Sequence, residues 1–369
     1  MFLTKLSLRN YRNYEEIEIE TKERVNLFVG PNAQGKTNLL EAIYVAAITK
    51  SHRTSKDKEL IRWGESASIL HAEVQKKYGL YKLDLSITQQ GKKAKINGLE
   101  QRKLSDFIGT MNVVMFAPED LEIVKGAPGI RRRFLDMELG QVQPGYVHEL
   151  QQYYKILVQR NNYLKQPHAN SADPALMDIW NEQLARYGVK IMRNRQNFIT
   201  KLQQWAEQVH AGITNRQEQL RILYQPSFKA DSLEDEAVLF EQFMIKLSQL
   251  REQEIKRGMT LIGPHRDDMT LLINDKEAQT YGSQGQQRTT ALSLKLAEIE
   301  LIREETGEYP ILLLDDVLSE LDRNRQTQLI ETFQGRIQIF ITTTGIETID
   351  MNKLENADIF QVHQGRILQ

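Results

Sequence analysis

Between residues 3 and 19 apolar and polar positions alternate on either side of the string RNYRNY, a period of two that predicts a pair of strands. Residues 25–29 have the character of a buried strand and lead straight into a loop of small residues. Strand patterns dominate up to about residue 115, where KLDLSITQQGKKAKING reads as a hairpin turning at Gln90-Gly91. From about residue 143 to 258 the texture becomes that of long, charged helices, as in VHELQQYYKILVQRNNYL, the run from LMDIW to WAEQV, and EDEAVLFEQFMIKLSQLREQEIKRG. The polar, proline-containing joints QPHANSADP (166–174) and YQPSFKADS (224–232) read as loops between those helices. Beyond Gly258 the mixed texture returns: a strand at 269–273, a helix at 285–305, a strand at 311–314, a helix at 323–333 and a strand at 337–342.

This order predicts an α/β chain in three stretches: residues 1–142 with the loop, an inserted helical subdomain at 143–258, and residues 259–369 completing the α/β part. With 369 residues, 40% of them hydrophobic, the chain has the material for a sizeable core and more than one domain. No stretch approaches the roughly 18 apolar residues of a membrane span, and the first twenty residues alternate where a signal peptide needs an unbroken apolar core. The expectation is a soluble, cytoplasmic protein without a membrane. The chain has no cysteine, which excludes disulfides, iron-sulfur clusters and thiol catalysis and suits a reducing compartment. Its net charge of -1 supplies no global attraction to nucleic acid, so any DNA contact must come from local patches.

Three stretches carry chemistry. GPNAQGKT, residues 30–37, fits G-x-x-x-x-G-K-[ST]. Gly30 and Gly35 let the backbone turn back, Pro31, Asn32, Ala33 and Gln34 carry the loop between them, and Lys36 sets a cation on the β- and γ-phosphates. Thr37 offers a hydroxyl to Mg2+, and the helix that runs on through Asn38 adds its positive end. ILLLDDVLSELD, residues 311–322, ends an apolar strand in carboxylates: Asp315 to hold Mg2+ through water, Asp316 to orient or deprotonate the attacking water. A buried strand with an acidic helix cap would read the same in isolation. Third, Ser283, Gln284, Gly285 and Gln286 open a long helix whose amides could meet a second set of phosphates. Two phosphate-facing helix starts are hard to fold onto one nucleotide, so the economical geometry is a head-to-tail homodimer. A capped core helix is the plainer reading of the same residues.

Together the three stretches resemble the ATP-binding-cassette ATPases, with Ser283 to Gln286 in the place of the signature loop and Ser319, Glu320, Leu321 and Asp322 in the place of the D-loop. The strings RNYRNYEEIEIE, NLLEAI, PEDLEIVKGAPGIRRRFLD (118–136), GPHRDD (263–268) and LSELDRNRQTQL (318–329) narrow the resemblance to the RecF family of bacterial recombinational repair, over nearly the whole chain. The resemblance implies a two-lobed ATPase head related to the SMC chromosome-maintenance proteins, with an inserted α-helical arm. It also implies ATP and Mg2+ as cofactors, a weak, DNA-stimulated ATPase activity, ATP-dependent dimerisation, and binding to gapped DNA at single-strand/double-strand junctions. The implied partners are RecO and RecR and, through them, RecA. Two departures from the wider superfamily stand out: Ala117-Pro118-Glu119-Asp120 where a Q-loop glutamine is usual, and Thr342-Thr343-Thr344 where a switch histidine is usual. Slow hydrolysis is the natural inference.

Cations available for DNA are Lys56 and Lys58, Lys92 and Lys93 at the hairpin, Arg131 and Arg132, and Arg186, Lys190 and Arg193, which share a helical face at i, i+4, i+7. Any of these groups can equally be a solvated surface, and Arg131 and Arg132 can pair with acidic residues inside the head. Lacking interleaved aromatics, the run at Arg131 to Arg133 suits backbone contact with duplex better than single-strand stacking. Two other classes remain open: an ATPase subunit of a membrane transporter, and a DNA-binding scaffold with structural ATP.

Overall fold

The computed structural model describes residues 1–166, 174–316, 333, 335–345 and 356–368. The expected loop at 166–174 and helix at 323–333 fall almost wholly outside the described residues. The chain divides into two compact units: Met1–Asp120 with Glu298–Gln369, and Leu121–Ala297.

The first unit holds two six-stranded sheets. One is antiparallel and begins with β1 (Phe2–Tyr11) and β2 (Tyr14–Glu20), the strands expected around RNYRNY. The chain then passes through β3 (Val25–Val29) and helix α1 (Lys36–Ile48) before returning to the antiparallel sheet with β4 (Ala67–Lys76), β5 (Gly79–Thr88), β6 (Gly91–Ile96) and β7 (Leu99–Glu100), in the order β2-β1-β4-β5-β6-β7. The β5–β6 hairpin turns at Gln89-Gln90, one residue before the turn predicted, because Thr88 pairs with Gly91. The second sheet gathers β3, β8 (Val113–Phe116) and strands from the far end of the chain.

The second unit begins with α2 (Leu121–Lys125), α3 (Pro128–Val142), α4 (Pro144–Leu164) and α5 (Pro174–Ile213). It continues through β9 (Leu220–Gln225), α6 (Glu236–Arg257), β10 (Asp268–Ile273), β11 (Lys276–Glu277), α7 (Ala278–Tyr281) and the start of α8 (Gln284–Thr306). The expected helical segment at 143–258 lies inside this unit, which also takes in α2, α3, β10, β11 and α7. Local signals explain the ends of α6: Asp235 caps the amides of Ala237 and Val238, and Gly258 closes the helix at φ 64. Strand β9 corrects the sequence reading, which put an inter-helix loop from 224 onward and no strand before it. Its buried positions Leu220, Ile222 and Tyr224 alternate with exposed ones, and it pairs antiparallel with β10.

The first unit is completed by the rest of α8, β12 (Ile311–Asp315), β13 (Ile339–Thr343), β14 (Ala357–His363) and β15 (Arg366–Leu368). They bring the second sheet to the order β15-β14-β3-β13-β12-β8, parallel from β14 to β8. Its strands β3, β12 and β13 are buried at every residue, as parallel strands covered on both faces are. Helix α1 packs on β12 and β13 and also on β4 and β5 of the antiparallel sheet, and it is apolar nearly all round because both sides are covered. Among the described residues, no helix is long and apolar enough to cross a membrane.

Candidate nucleotide site

The loop 30–37 leaves the end of central strand β3 and closes onto the first turn of α1. Ala33 at φ 63 and Gly35 at φ 115 alternate left-handed positions along it, the geometry with which successive amides form an anion nest. Gly30 is required by proximity, since a Cβ there would drive into the backbone carbonyl of Val362 on β14. A Cβ on Gly35 would lie 2.7 Å from the side chains of Asn13 and Tyr14. Lys36 folds back over the loop and donates to the carbonyls of Gly30 at 2.5 Å and Pro31 at 2.8 Å. Burial lowers its pKa, while the carboxylates of Asp316 and Asp315 pull it up again.

Residues distant in sequence converge beside that lysine. The Thr37 hydroxyl donates to Asp315 Oδ1 at 2.9 Å, and Thr342 Oγ1 donates to the same oxygen at 2.8 Å while accepting from the Asp316 amide at 2.9 Å. Burial raises the Asp315 pKa and the two hydroxyl donors lower it; the charge of Glu119 adds to the upward push. Asp316 is held at φ 53, a left-handed position that costs a non-glycine residue energy and is concentrated at functional sites. A buried carboxylate and a hydroxyl meeting at one point, next to a lysine and an amide nest, form a hard-oxygen donor set that fits Mg2+ on a phosphate chain. The two departures from the superfamily thus have occupants. Thr342 takes hold of both aspartates, and Glu119 is near enough to Asp315 to bear on its charge.

The string RNYRNY, a strand turn and a family marker in the sequence with no contact assigned to it there, braces this loop. Asn13 Nδ2 donates to Gln34 O at 3.1 Å, Tyr14 OH to Gly35 O at 3.0 Å, and Asn38 Nδ2 to Asn13 Oδ1 at 2.8 Å. Arg12 grips Glu41 of α1 with Nε at 2.8 Å and Nη2 at 2.6 Å, and Ser51 Oγ donates to Glu41 at 2.5 Å. From the end of the chain, the amides of Gln364 and Gly365 donate to the side chain and carbonyl of Gln34. Pairings between segments at opposite ends of the chain leave no signal in a single sequence.

Ser283 and Gln286 lie in the second unit at the start of α8 and form a capping box. Ser283 Oγ accepts from the Gln286 amide at 3.2 Å and Gln286 Oε1 accepts from the Ser283 amide at 2.9 Å. The spacing S-x-x-Q made this legible. Ser283, Gln284 and Gly285 are exposed. Gln286 Nε2 also donates to Glu218 at 2.8 Å, and Glu218 lies 3.3 Å from the buried His210 of α5, a tether that sequence reasoning missed. Ser319, Glu320, Leu321 and Asp322, expected to form a D-loop, lie outside the described residues.

The proposed DNA cations separate by environment. Lys92 is turned inward: it pairs with Asp57 at 2.5 Å and donates to the Thr49 carbonyl. Arg131 is buried against Asp268 through two bonds of 2.7 and 2.8 Å, and Arg132 donates to the Asp267 carbonyl. These two pairs clip PEDLEIVKGAPGIRRRFLD to GPHRDD, so Lys92 and Arg131 are corrected from surface cations to structural ones. On α5, Arg186 pairs with Glu182, Arg193 with Glu236 of α6, and the charge of Lys190 bears on Glu149 of α4. That helical face carries both signs. Lys56, Lys58 and Lys93 remain exposed.

Comparison with known proteins follows this geometry. The family model described as RecF/RecN/SMC N terminal domain matches residues 2–367. The DNA replication and repair protein RecF of Bacillus cereus (strain AH820) is 52% identical over 368 residues, covering 100% of this chain and 98% of the relative. A solved structure of the recombination mediator protein RecF with ATP, in the RecFOR pathway, superposes with a TM-score of 0.92 at 36% identity, covering 99% of this chain and 96% of the other. The Smc head domain of Pyrococcus furiosus shares the fold, with a TM-score of 0.55 at 14% identity, over 99% of this chain and 95% of the other.

Proposed function

From the premise that this chain belongs to the RecF family of RecF/RecN/SMC-type ATPases, we propose that it is an ATP-switched DNA-binding protein of replication and recombinational repair. The observation that carries the reading is the junction of Thr37, Asp315, Asp316 and Thr342 beside Lys36, because a phosphate site that also presents a positioned carboxylate is built to hydrolyse as well as to bind. Lys36 and the amides of 30–38 hold ATP. Thr37 and Asp315 would hold Mg2+, which neutralises charge on the phosphates, and Asp316 orients the attacking water. Ser283 to Gln286 of one copy, with its D-loop at 319–322, closes on the nucleotide of a second copy. The dimer binds double-stranded or gapped DNA, slow hydrolysis resets it, and RecO and RecR use the bound state to place RecA. The helical segment 143–258 serves as the arm, and the cytoplasm is the setting.

Closing two copies brings two sets of cations onto one duplex, so the ATP state binds DNA more tightly through effective concentration. The test is a DNA titration of Asp316→Asn with ATP and with ADP across a salt series. Tighter binding with ATP, and log K falling by about 0.9 per neutralised phosphate as log salt rises, is the expected result. Equal affinity in the two nucleotide states refutes the switch.

A further inference from the structure

Trp63 is 97% exposed. Its ring touches almost nothing of its own chain, and what distinguishes it from other single exposed apolar side chains is how it is held and what charge surrounds it. The side chain does not stand on a slack loop. Arg62 N donates to Asn10 O at 2.9 Å, Glu65 N closes a turn onto Arg62 O at 3.0 Å, and Gly64 takes φ 87, a conformation that turns reserve for glycine. Asn10 Nδ2 pins Glu65 at 3.1 Å, and an isolated bridge joins Tyr11 to Ile61. The indole is therefore presented on a backbone ordered before any ligand arrives, which lowers the entropy lost on binding.

The chain leading to it is cationic. Residues 50–63 contain Lys50, Arg53, Lys56, Lys58 and Arg62 against Asp57 and Glu59. Both acids are already engaged, Asp57 by Lys92 and Glu59 by Lys56 and the Thr54 hydroxyl. Arg62 reaches the exposed Glu15 at 3.2 Å, a pair that a phosphate can displace. The same segment is wired to the nucleotide loop: Arg12 joins the Glu59 carbonyl to Glu41 of α1, and Arg53 Nη1 donates to Asn38 Oδ1 at 3.0 Å.

We propose that Trp63 is a stacking platform for an unpaired nucleobase, with the cations of residues 50–62 holding the phosphates on either side. The proposal rests on the DNA-binding reading above and adds to it the single strand of a junction. Stacking on an aromatic face combined with a positive track is how single strands are held without sequence preference. A tryptophan that anchors a protein partner sits instead amid a packed apolar patch, whereas this one rises from a charged segment.

The test compares the full chain, Trp63→Ala and Trp63→Phe on a single-strand/double-strand junction and on a blunt duplex of equal length, with ATP affinity as the control for folding. Trp63→Ala is expected to lose on the order of 10-fold in junction affinity, Trp63→Phe to keep most of it, and duplex affinity to stay unchanged. In a Trp180→Phe/Trp205→Phe background, the emission of Trp63 is expected to be quenched by the junction and not by the duplex. Unquenched emission with wild-type junction affinity in Trp63→Ala overturns the proposal. A parent chain that binds neither DNA overturns the underlying DNA reading as well.

Discussion

Replacing Arg12 by alanine breaks the ion pair that ties the RNYRNY turn to the P-loop helix, at a carboxylate with no access to water. Glu41 is 0% exposed and takes two bonds from Arg12, at 2.8 and 2.6 Å, and one from Ser51. Removing one partner of a buried pair costs roughly 3–5 kcal/mol, because the other charge stays behind uncompensated. Here Ser51 keeps donating and the Arg12 side chain is itself 18% exposed, so about 3 kcal/mol is the expected loss. No backbone term enters, since Arg12 sits at φ 51 and alanine meets the same left-handed cost.

The loss carries a pH signature. Burial pushes the Glu41 pKa up, but the bonds from Arg12 and Ser51 outweigh it, and the pKa ends below the usual carboxylate value. A depressed pKa contributes stability above the unfolded value, near 4.3, and loses it as pH falls through the folded value. Without Arg12 burial prevails, the pKa rises above the unfolded value, and the penalty is present at neutral pH and fades as Glu41 takes up a proton. Urea unfolding of wild type and Arg12→Ala at pH 7.5 and pH 5, followed by circular dichroism, with hydrogen exchange of the α1 amides as a local probe, should show a smaller difference at the lower pH. Arg12→Ala/Glu41→Gln should be more stable than Arg12→Ala at pH 7.5. A loss below about 1 kcal/mol, or one equal at both pH values, refutes the reasoning.

Lys36→Ala should weaken ATP binding by about 1.5–3 kcal/mol, the worth of a hydrogen bond to a charged group, with the fold intact in calorimetry; unchanged affinity would move the nucleotide elsewhere. Gly30→Ala forces a Cβ into the Val362 carbonyl, so β14 must move from β3, and a lower melting temperature with an overpacking cost of about 1–3 kcal/mol is expected; a wild-type melting temperature would show that the loop shifts freely. Glu218→Gln weakens the charge-assisted bond to Gln286 by about 1 kcal/mol. ATP binding by the single chain should persist while ATP-dependent dimerisation in sedimentation weakens several-fold, and unaltered dimerisation would detach Glu218 from the signature loop.

The order of elements was legible because it is written in local periodicity. Strand 25–29, the loop 30–37 with its two glycines, the apolar run ending in Asp315-Asp316, and the S-x-x-Q helix start each declare themselves within a dozen residues, so backbone preference and burial pattern suffice. Strand β9 escaped because six alternating residues between two long helices, next to a proline-bearing joint, carry too few turns of the pattern to outweigh their neighbours. The parallel order β14-β3-β13-β12-β8 is a matter of which buried strands find each other, and equally apolar runs are interchangeable to a reader of the sequence. The same limit governed charge. A lysine's sign is fixed by the sequence, but whether it meets water or a carboxylate is fixed by packing, and so Lys92 and Arg131 turned inward while the equally basic Lys58 and Lys93 stayed out. Chemistry that depends on two residue types in one loop was decided by the chain itself. The hold of Thr342 on both aspartates, the brace of Asn13 and Tyr14 on the loop, and the exposure of Trp63 exist only once distant segments are folded together, because a hydrogen bond acts through a few ångströms of space and not along the chain.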